Sequence, residues 1–165
     1  MQDFIIREAV PQDCQGILEL IKALAVYEKE PESVVCLTPE ILERDCFGEN
    51  PWFYCFVAEK ESSAGKDLVG FALYYHAYST WKGRMLYLED IFVIPSERKK
   101  GIGIGFIKEI SKVAVKKKCY KVKWAVLDWN QNSIDFFNSL GAQIEKEWKL
   151  VCLDNTAMLT LAEEK

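Results

Sequence analysis

The residues best suited to chemistry lie in one stretch, Leu88–Ile107, reading LEDIFVIPSERKKGIGIGFI. Two acids, Glu89 and Asp90, sit inside the apolar run Tyr87–Ile94, which Pro95 stops. An acid held in such surroundings can bind an ammonium group and then accept its proton, directly or through water. Glu89 is read as that base. Alternation along a strand sends Asp90 to the opposite face. A basic turn follows, Arg98-Lys99-Lys100-Gly101-Ile102-Gly103-Ile104-Gly105. Beyond it, apolar residues at Phe106, Ile107, Ile110, Val113 and Ala114 start a helical period. Strand, glycine turn and helix start together cradle phosphate, because backbone N–H groups converge and the helix dipole adds partial positive charge. The stretch is therefore read as a pyrophosphate site beside a pair of carboxylates. A purely structural glycine turn and a charged patch on an edge strand are the plain alternatives.

The glycine spacing narrows the ligand. A dinucleotide fold needs G-x-G-x-x-G, and here Gly105 falls one position short of the third glycine. The Walker pattern is absent. R-x-x-G-x-G remains, from Arg98 to Gly103.

These residues need a scaffold, and the chain has the length of one domain, 165 residues. Its composition, 50% hydrophobic and 28% charged, is that of globular protein with a sizeable core. No apolar stretch is long enough to span a bilayer. The start, MQDFIIREAV, lacks a basic, apolar leader. Six cysteines without C-x-x-C spacing are expected to be reduced, mostly core thiols of a cytoplasmic protein. One histidine, His76, argues against histidine-cluster metal sites and histidine-based nucleophilic catalysis. A net charge of -4 argues against nucleic acid and suits a cationic substrate. The lysines Lys112, Lys116, Lys117 and Lys118 are read as a solvated helix face.

In order, the patterns predict a strand at Phe4–Arg7 and a helix from Pro11 to about Glu28. A helix capped by Thr38 with Pro39 in its first turn runs to about Cys46. Strands follow at Phe53–Glu59, Leu68–Tyr78 and Met85–Ile94, with a hairpin loop at Lys60–Lys66. After the glycine turn come a helix to about Lys118, a strand at Lys121–Val126 and a helix Asn130–Leu140 closed by Gly141. A last strand is expected at Gln143–Leu153, and Asp154 caps a short final helix, Thr156–Ala162. This order is α+β, a mostly antiparallel sheet with helices on both faces.

The element order and R-x-x-G-x-G resemble the GNAT acetyltransferase fold, in which the fourth and fifth strands splay apart around acetyl-CoA. Four segments sharpen the likeness: ILELIKALAVYE (Ile17–Glu28), GENPWFYCFVAE (Gly48–Glu59), YYHAYSTWKGRMLYLED (Tyr74–Asp90) and AVLDWNQNSIDFFNSLGA (Ala125–Ala142). They resemble the diamine acetyltransferases, the spermidine/spermine family. Within it, Ser79-Thr80-Trp81-Lys82-Gly83-Arg84 and Leu127-Asp128-Trp129-Asn130-Gln131 are most similar to the thialysine branch. The polyamine branch carries an aspartate where this chain has Ser79.

The resemblance implies one N-acetyltransferase domain over residues 1–165, acting on a small primary amine. It also implies a homodimer with no metal, nucleic acid or membrane partner. Backbone groups of Ile91, Phe92 and Val93 would meet the pantetheine arm and acetyl carbonyl. Arg98, Lys99, Lys100, Gly101, Ile102, Gly103 and Ile104 would hold the pyrophosphate. Asn130, Gln131, Asn132 and Ser133 would also touch acetyl-CoA. Tyr27, Glu28, Trp81, Glu89, Asp90, Lys123, Trp124, Ala125 and Glu147 would line the amine channel. For Trp81 and Trp124, core or dimer packing is the alternative. One position departs from the pattern: the family's general-acid tyrosine is replaced by Phe137. That leaves open a weak or silent acetyl-CoA-binding protein; a separate alternative is a protein-lysine acetyltransferase, against which an acid-lined channel argues.

Overall fold

In the computed structural model, which describes residues 3–63 and 65–163, two apolar clusters sandwich one sheet. The first half of strand β2 (Tyr54–Ser62) shows why Cys55–Ala58 is apolar at every position: Phe56 and Ala58 enter one cluster, Cys55 and Val57 the other. Alternate side chains leave opposite faces of a strand, so a strand covered on both sides must be apolar at every position. The sheet order is β1-β2-β3-β4-β5. Strands β1 (Phe4–Glu8), β2, β3 (Gly65–Ser79) and β4 (Gly83–Val93) pair antiparallel, and β5 (Val122–Lys123) runs parallel to β4.

One face packs on α3 (Ile102–Lys116) through Ile102, Phe106, Ile110 and Ala114. Gly105 belongs to this packing. A Cβ there would run into the terminal methyl of Ile6 on β1, so any larger residue would require the Ile6 side chain to shift. The other face packs on α1 (Cys14–Tyr27) and α2 (Pro39–Phe47) through Ile17, Leu18, Leu20, Leu24 and Leu42. Thr38 caps α2 as expected, its Oγ1 accepting from the Ile41 amide at 3.3 Å.

The expected hairpin loop at Lys60–Lys66 is tighter than its composition suggested. Strands β2 and β3 run on to a Ser62–Gly65 pair; Ala64, within that loop, lies outside the described residues. Strand β5 is shorter than expected, because only Leu86 and Tyr87 of β4 pair with it. From Leu88 onward the two strands part, which is the splay of the fold.

Contacts divide the chain into two compact units, Met1–Ala125 and Val126–Lys165. The second holds α4 (Gln131–Ser139), capped by Asn130, and α5 (Asn155–Glu163), where Asp154 Oδ1 accepts from the Ala157 amide at 2.8 Å. The expected strand Gln143–Leu153 is not formed. Its alternation is present, but Trp148, Leu150 and Val151 are 65%, 82% and 90% exposed. A strand needs a neighbour for its backbone groups, and no strand of the described residues pairs with this segment.

Candidate active site

The central acids sit at a fault in the sheet. Leu73 pairs with Asp90 and Tyr74 with Leu88, so β4 carries one extra residue, Glu89. This β-bulge cancels the alternation expected from sequence. Tyr75 faces Tyr87 on one side of the bulge and Leu73 faces Asp90 on the other. Tyr75 and Leu73 lie two apart on an unbroken strand and share a face, so Tyr87 and Asp90 share it too. Glu89 turns the same way, since the Tyr75 hydroxyl donates to its Oε2 at 3.2 Å. The expectation that Asp90 points to the opposite face is thus corrected. A bulge re-aims side chains, and here it gathers two carboxylates on one side.

Their environments differ. Glu89 is exposed, whereas Asp90 is half-buried. Burial raises the Asp90 pKa to about 6, and the charges of Glu89 and Glu28 push it the same way. Glu28, at the end of α1, is itself raised by burial. Three acids from two elements therefore act on one another. Beside them, Tyr27 of α1 meets Phe92 with ring centroids 6.3 Å apart. The Arg98 guanidinium lies 4.3 Å from the Tyr27 ring centroid and 5.6 Å from that of Phe92. Its Nε donates to the Val93 carbonyl at 2.8 Å. Arg98 is thus turned in against the end of β4.

The glycine turn has the backbone its sequence asks for. Gly101, at the N-cap of α3, has φ of 94° and Lys99 has φ of 61°. Left-handed residues interleaved with ordinary ones turn successive amides toward one concavity, an anion-binding nest at a helix tip. A Cβ at Gly101 would meet no atom within 4 Å, so the glycine serves the backbone angle and not a packing constraint. These features suit a diphosphate. Lys99 and Lys100 are exposed beside the nest, with Lys100 Nζ 3.0 Å from Glu97 Oε2. Past Tyr87, the edge of β4 that includes Ile91, Phe92 and Val93 has no β5 neighbour.

The other expected site residues are more scattered. Lys123 pairs beside Tyr87, and Trp124 packs on the α3-side cluster. Ala125 is exposed. Trp81, 83% exposed, sits in the β3–β4 turn. Six residues at a strand rise of about 3.3 Å put that turn roughly 20 Å from Glu89. Asn130, Gln131, Asn132 and Ser133 form the start of α4 in the second unit. There Phe137 is buried and its ring lies 5.3 Å from that of Phe136. Glu147 is exposed in a turn of the same unit. Sequence reading missed Tyr75 and Tyr87. Their signal was present as tyrosines spaced to face one another across a hairpin, but it needed the strand register to be seen. Among the described residues no cluster of histidine, cysteine and acid is arranged to hold a metal, and no helix is long and apolar enough to cross a membrane.

A five-stranded sheet splayed after β4, with a phosphate nest between β4 and α3, defines an acyl-CoA-type transferase scaffold. Residues 16–142 match the model of the acetyltransferase (GNAT) family. The chain belongs to that family and is an N-acetyltransferase. It is 46% identical over 165 residues to a thialysine N-epsilon-acetyltransferase of Bos taurus, covering 96% of each chain. A second similar protein is the human spermidine/spermine N(1)-acetyltransferase-like protein 1, 39% identical over all of this chain but 24% of that one. Among solved structures, an integron cassette protein from V. cholerae superposes with a TM-score of 0.79 at 21% identity, covering 99% of this chain and 100% of that one. An aminoglycoside N-acetyltransferase in complex with CoA does so with a TM-score of 0.69 at 18% identity, covering 92% and 94%.

Proposed function

We propose that the protein transfers acetyl from acetyl-CoA to the terminal amine of a small, thialysine-like amino acid or diamine, by direct attack of the amine on the thioester. The observation that carries this reading is the bulge. It sets Glu89 and Asp90 on one face with Glu28 acting on Asp90, a concentration of negative charge suited to an alkylammonium. The names of the similar proteins support the same substrate class.

The chemistry requires a free amine. An alkylamine of pKa near 10.4 is deprotonated in roughly one molecule in 2,500 at pH 7, and removing the proton costs about 4.6 kcal/mol. Asp90 and Glu28 hold the cation, and Glu89, exposed and hydrogen-bonded, takes the proton directly or through water. The nitrogen lone pair then forms the C–N bond as the carbonyl π pair moves onto oxygen. Backbone N–H groups of Ile91–Val93, on the edge of β4 that β5 leaves, supply hydrogen bonds to that oxygen. The nest of Lys99–Ile104 anchors the pyrophosphate. The C–S bond breaks, the thiolate leaves, and the nitrogen gives its remaining surplus proton to water. Phe137 has no proton to give it. A thiol of pKa near 8.5 leaves with a deficit of about 2 kcal/mol at pH 7, so the reaction proceeds more slowly with water as donor. Phe137→Tyr is expected to raise turnover by about tenfold, below the roughly 10²–10⁴-fold of a general acid because the thiolate already leaves readily; an unchanged rate would show that this hydroxyl is not limiting.

The substrate class is tested by incubating the protein with acetyl-CoA and, separately, thialysine, spermidine, putrescine and a lysine peptide, reading thiol release. Thialysine is expected to react fastest. Reaction of the peptide alone would favour a protein-lysine acetyltransferase, and CoA binding without transfer to any amine would favour a silent binder. A homodimer in the cytoplasm completes the proposal. Leu150, Val151 and Leu153, 82%, 90% and 58% exposed on an extended segment, give an apolar surface that a second copy would cover. Light scattering at micromolar concentration reads that mass.

A further inference from the structure

The bulge that brings Glu89 and Asp90 together also removes a constraint from Glu89. As the extra residue of β4 it has no opposite number on β3. Across a sheet, the facing side chain usually limits the rotamers of its neighbour. Glu89 has no such neighbour, and it is exposed. A base free to swing into solvent spends little time where an amine proton can reach it.

Tyr75 supplies the missing constraint. Its hydroxyl donates to Glu89 Oε2 at 3.2 Å. Its ring is half-buried and stacks on Tyr87, its opposite number on β4, at 5.3 Å between centroids and 21° between planes. The stack fixes the direction of the phenol, and the phenol fixes the carboxylate. Burial, with the Glu89 charge and hydrogen bond, pushes the Tyr75 hydroxyl up to about 12, so it remains a donor through the working range. Stacked aromatics of this kind attract one another beyond the area they bury.

We propose that Tyr75 is a positioning residue for acetyl transfer: braced on Tyr87, it holds the Glu89 carboxylate on the face that Asp90 shares. The inference rests on the reading of Glu89 as the base, and the experiment separates the two. Tyr75→Phe deletes the donor and keeps the ring. With acetyl-CoA and thialysine, kcat is expected to fall about tenfold, the scale on which small misplacements act. The KM for acetyl-CoA and the melting temperature are expected to stay at wild-type values, because the phosphate nest and the stack are untouched. In a Glu89→Gln background, Tyr75→Phe is expected to cause no further loss. Wild-type turnover in Tyr75→Phe, or the same tenfold loss in both backgrounds, overturns the positioning role. Should Tyr75→Phe lower the melting temperature, Tyr87→Leu carries the test: it loosens the ring but keeps the hydroxyl, and about a threefold loss in kcat at unchanged acetyl-CoA KM is expected; no loss overturns the proposal. Wild-type turnover in Glu89→Gln instead overturns the base itself, whatever Tyr75 does.

Discussion

Two regions of this chain place carboxylates against the apolar sheet, and they treat them in opposite ways. Near the far edge, Asp13 and Glu59 are both buried, and Arg7 of β1 lies between them. Its Nη1 and Nη2 bond the two oxygens of Asp13 at 2.7 and 2.9 Å, while Nε and Nη2 reach Glu59 Oε2 at 3.0 and 2.7 Å. Lys66 adds a contact to Glu59 at 2.6 Å. Burial alone would raise Asp13, but the Arg7 hydrogen bonds, the Val10 amide and the Arg7 charge together outweigh it and hold the carboxyl below its usual range. Lys66 and Arg7 do the same for Glu59. At the bulge, burial raises Asp90 and the neighbouring charges, Glu89 and Glu28, raise it further. The first cluster is internally satisfied and ties β1, β2 and the start of α1 together. The second keeps an electrostatic deficit that an incoming cation relieves. Burial of an acid is therefore not the mark of a site; the sign of what surrounds it is.

Substitutions can break that comparison. The largest effect is expected for Glu89→Gln: a loss of about 10²–10⁴ in kcat, the range of a general base, with an unchanged melting temperature. Steady-state thiol release and thermal unfolding read both. Arg7→Met should do the reverse. Removing one partner of a buried ion pair destabilises by about 3–5 kcal/mol when burial is complete; with the Arg7 side chain 29% exposed, about 2 kcal/mol is expected in urea unfolding, and the kcat of the folded enzyme is unaffected. The lowered Asp13 and Glu59 give stability that is present above the unfolded carboxylate values and lost as pH falls through the folded ones. The gap between wild type and Arg7→Met should therefore close below about pH 4.

Asp90→Asn sharpens the contrast. A raised folded pKa contributes stability that is full below the unfolded value of 3.8 and lost as pH rises through about 6. Asparagine removes the penalty, so at pH 8 the variant should be more stable than wild type by up to about 3 kcal/mol, and at pH 4 by nothing. The same variant should bind the amine more weakly. In wild type the amine KM should rise as pH drops below about 6, when Asp90 takes up its proton. A gain over wild type that is no larger at pH 8 than at pH 4 would show that Asp90 is not strained by burial.

Much of this architecture could be read from residue order. The helix of Phe106, Ile110 and Ala114, the Thr38 cap and the glycine turn depend on local periodicity and on backbone angles that few residues adopt. They formed where expected. Strand β5 and the segment Gln143–Leu153 did not follow their patterns, because a strand exists only where another offers hydrogen bonds, and alternation says nothing about that neighbour. The site was legible as a set of residue types: two acids in an apolar run, a basic glycine turn, and Tyr27-Glu28 at a helix end. Which of them act on one another was not. Arg98 reads as a phosphate ligand by its place in the motif, yet its guanidinium lies over Tyr27 and its Nε binds the Val93 carbonyl.

By itself the sequence determined the kind of chemistry, since a carboxylate in an apolar strand and amides at a glycine-led helix tip are properties of short stretches. Only the tertiary structure decided how the acids are aimed. One extra residue in β4 relative to β3 turns Asp90 onto the same face as Glu89 and sets Tyr75 to hold the latter. The register of two strands depends on the packing of both faces at once, and no local pattern in either strand encodes it.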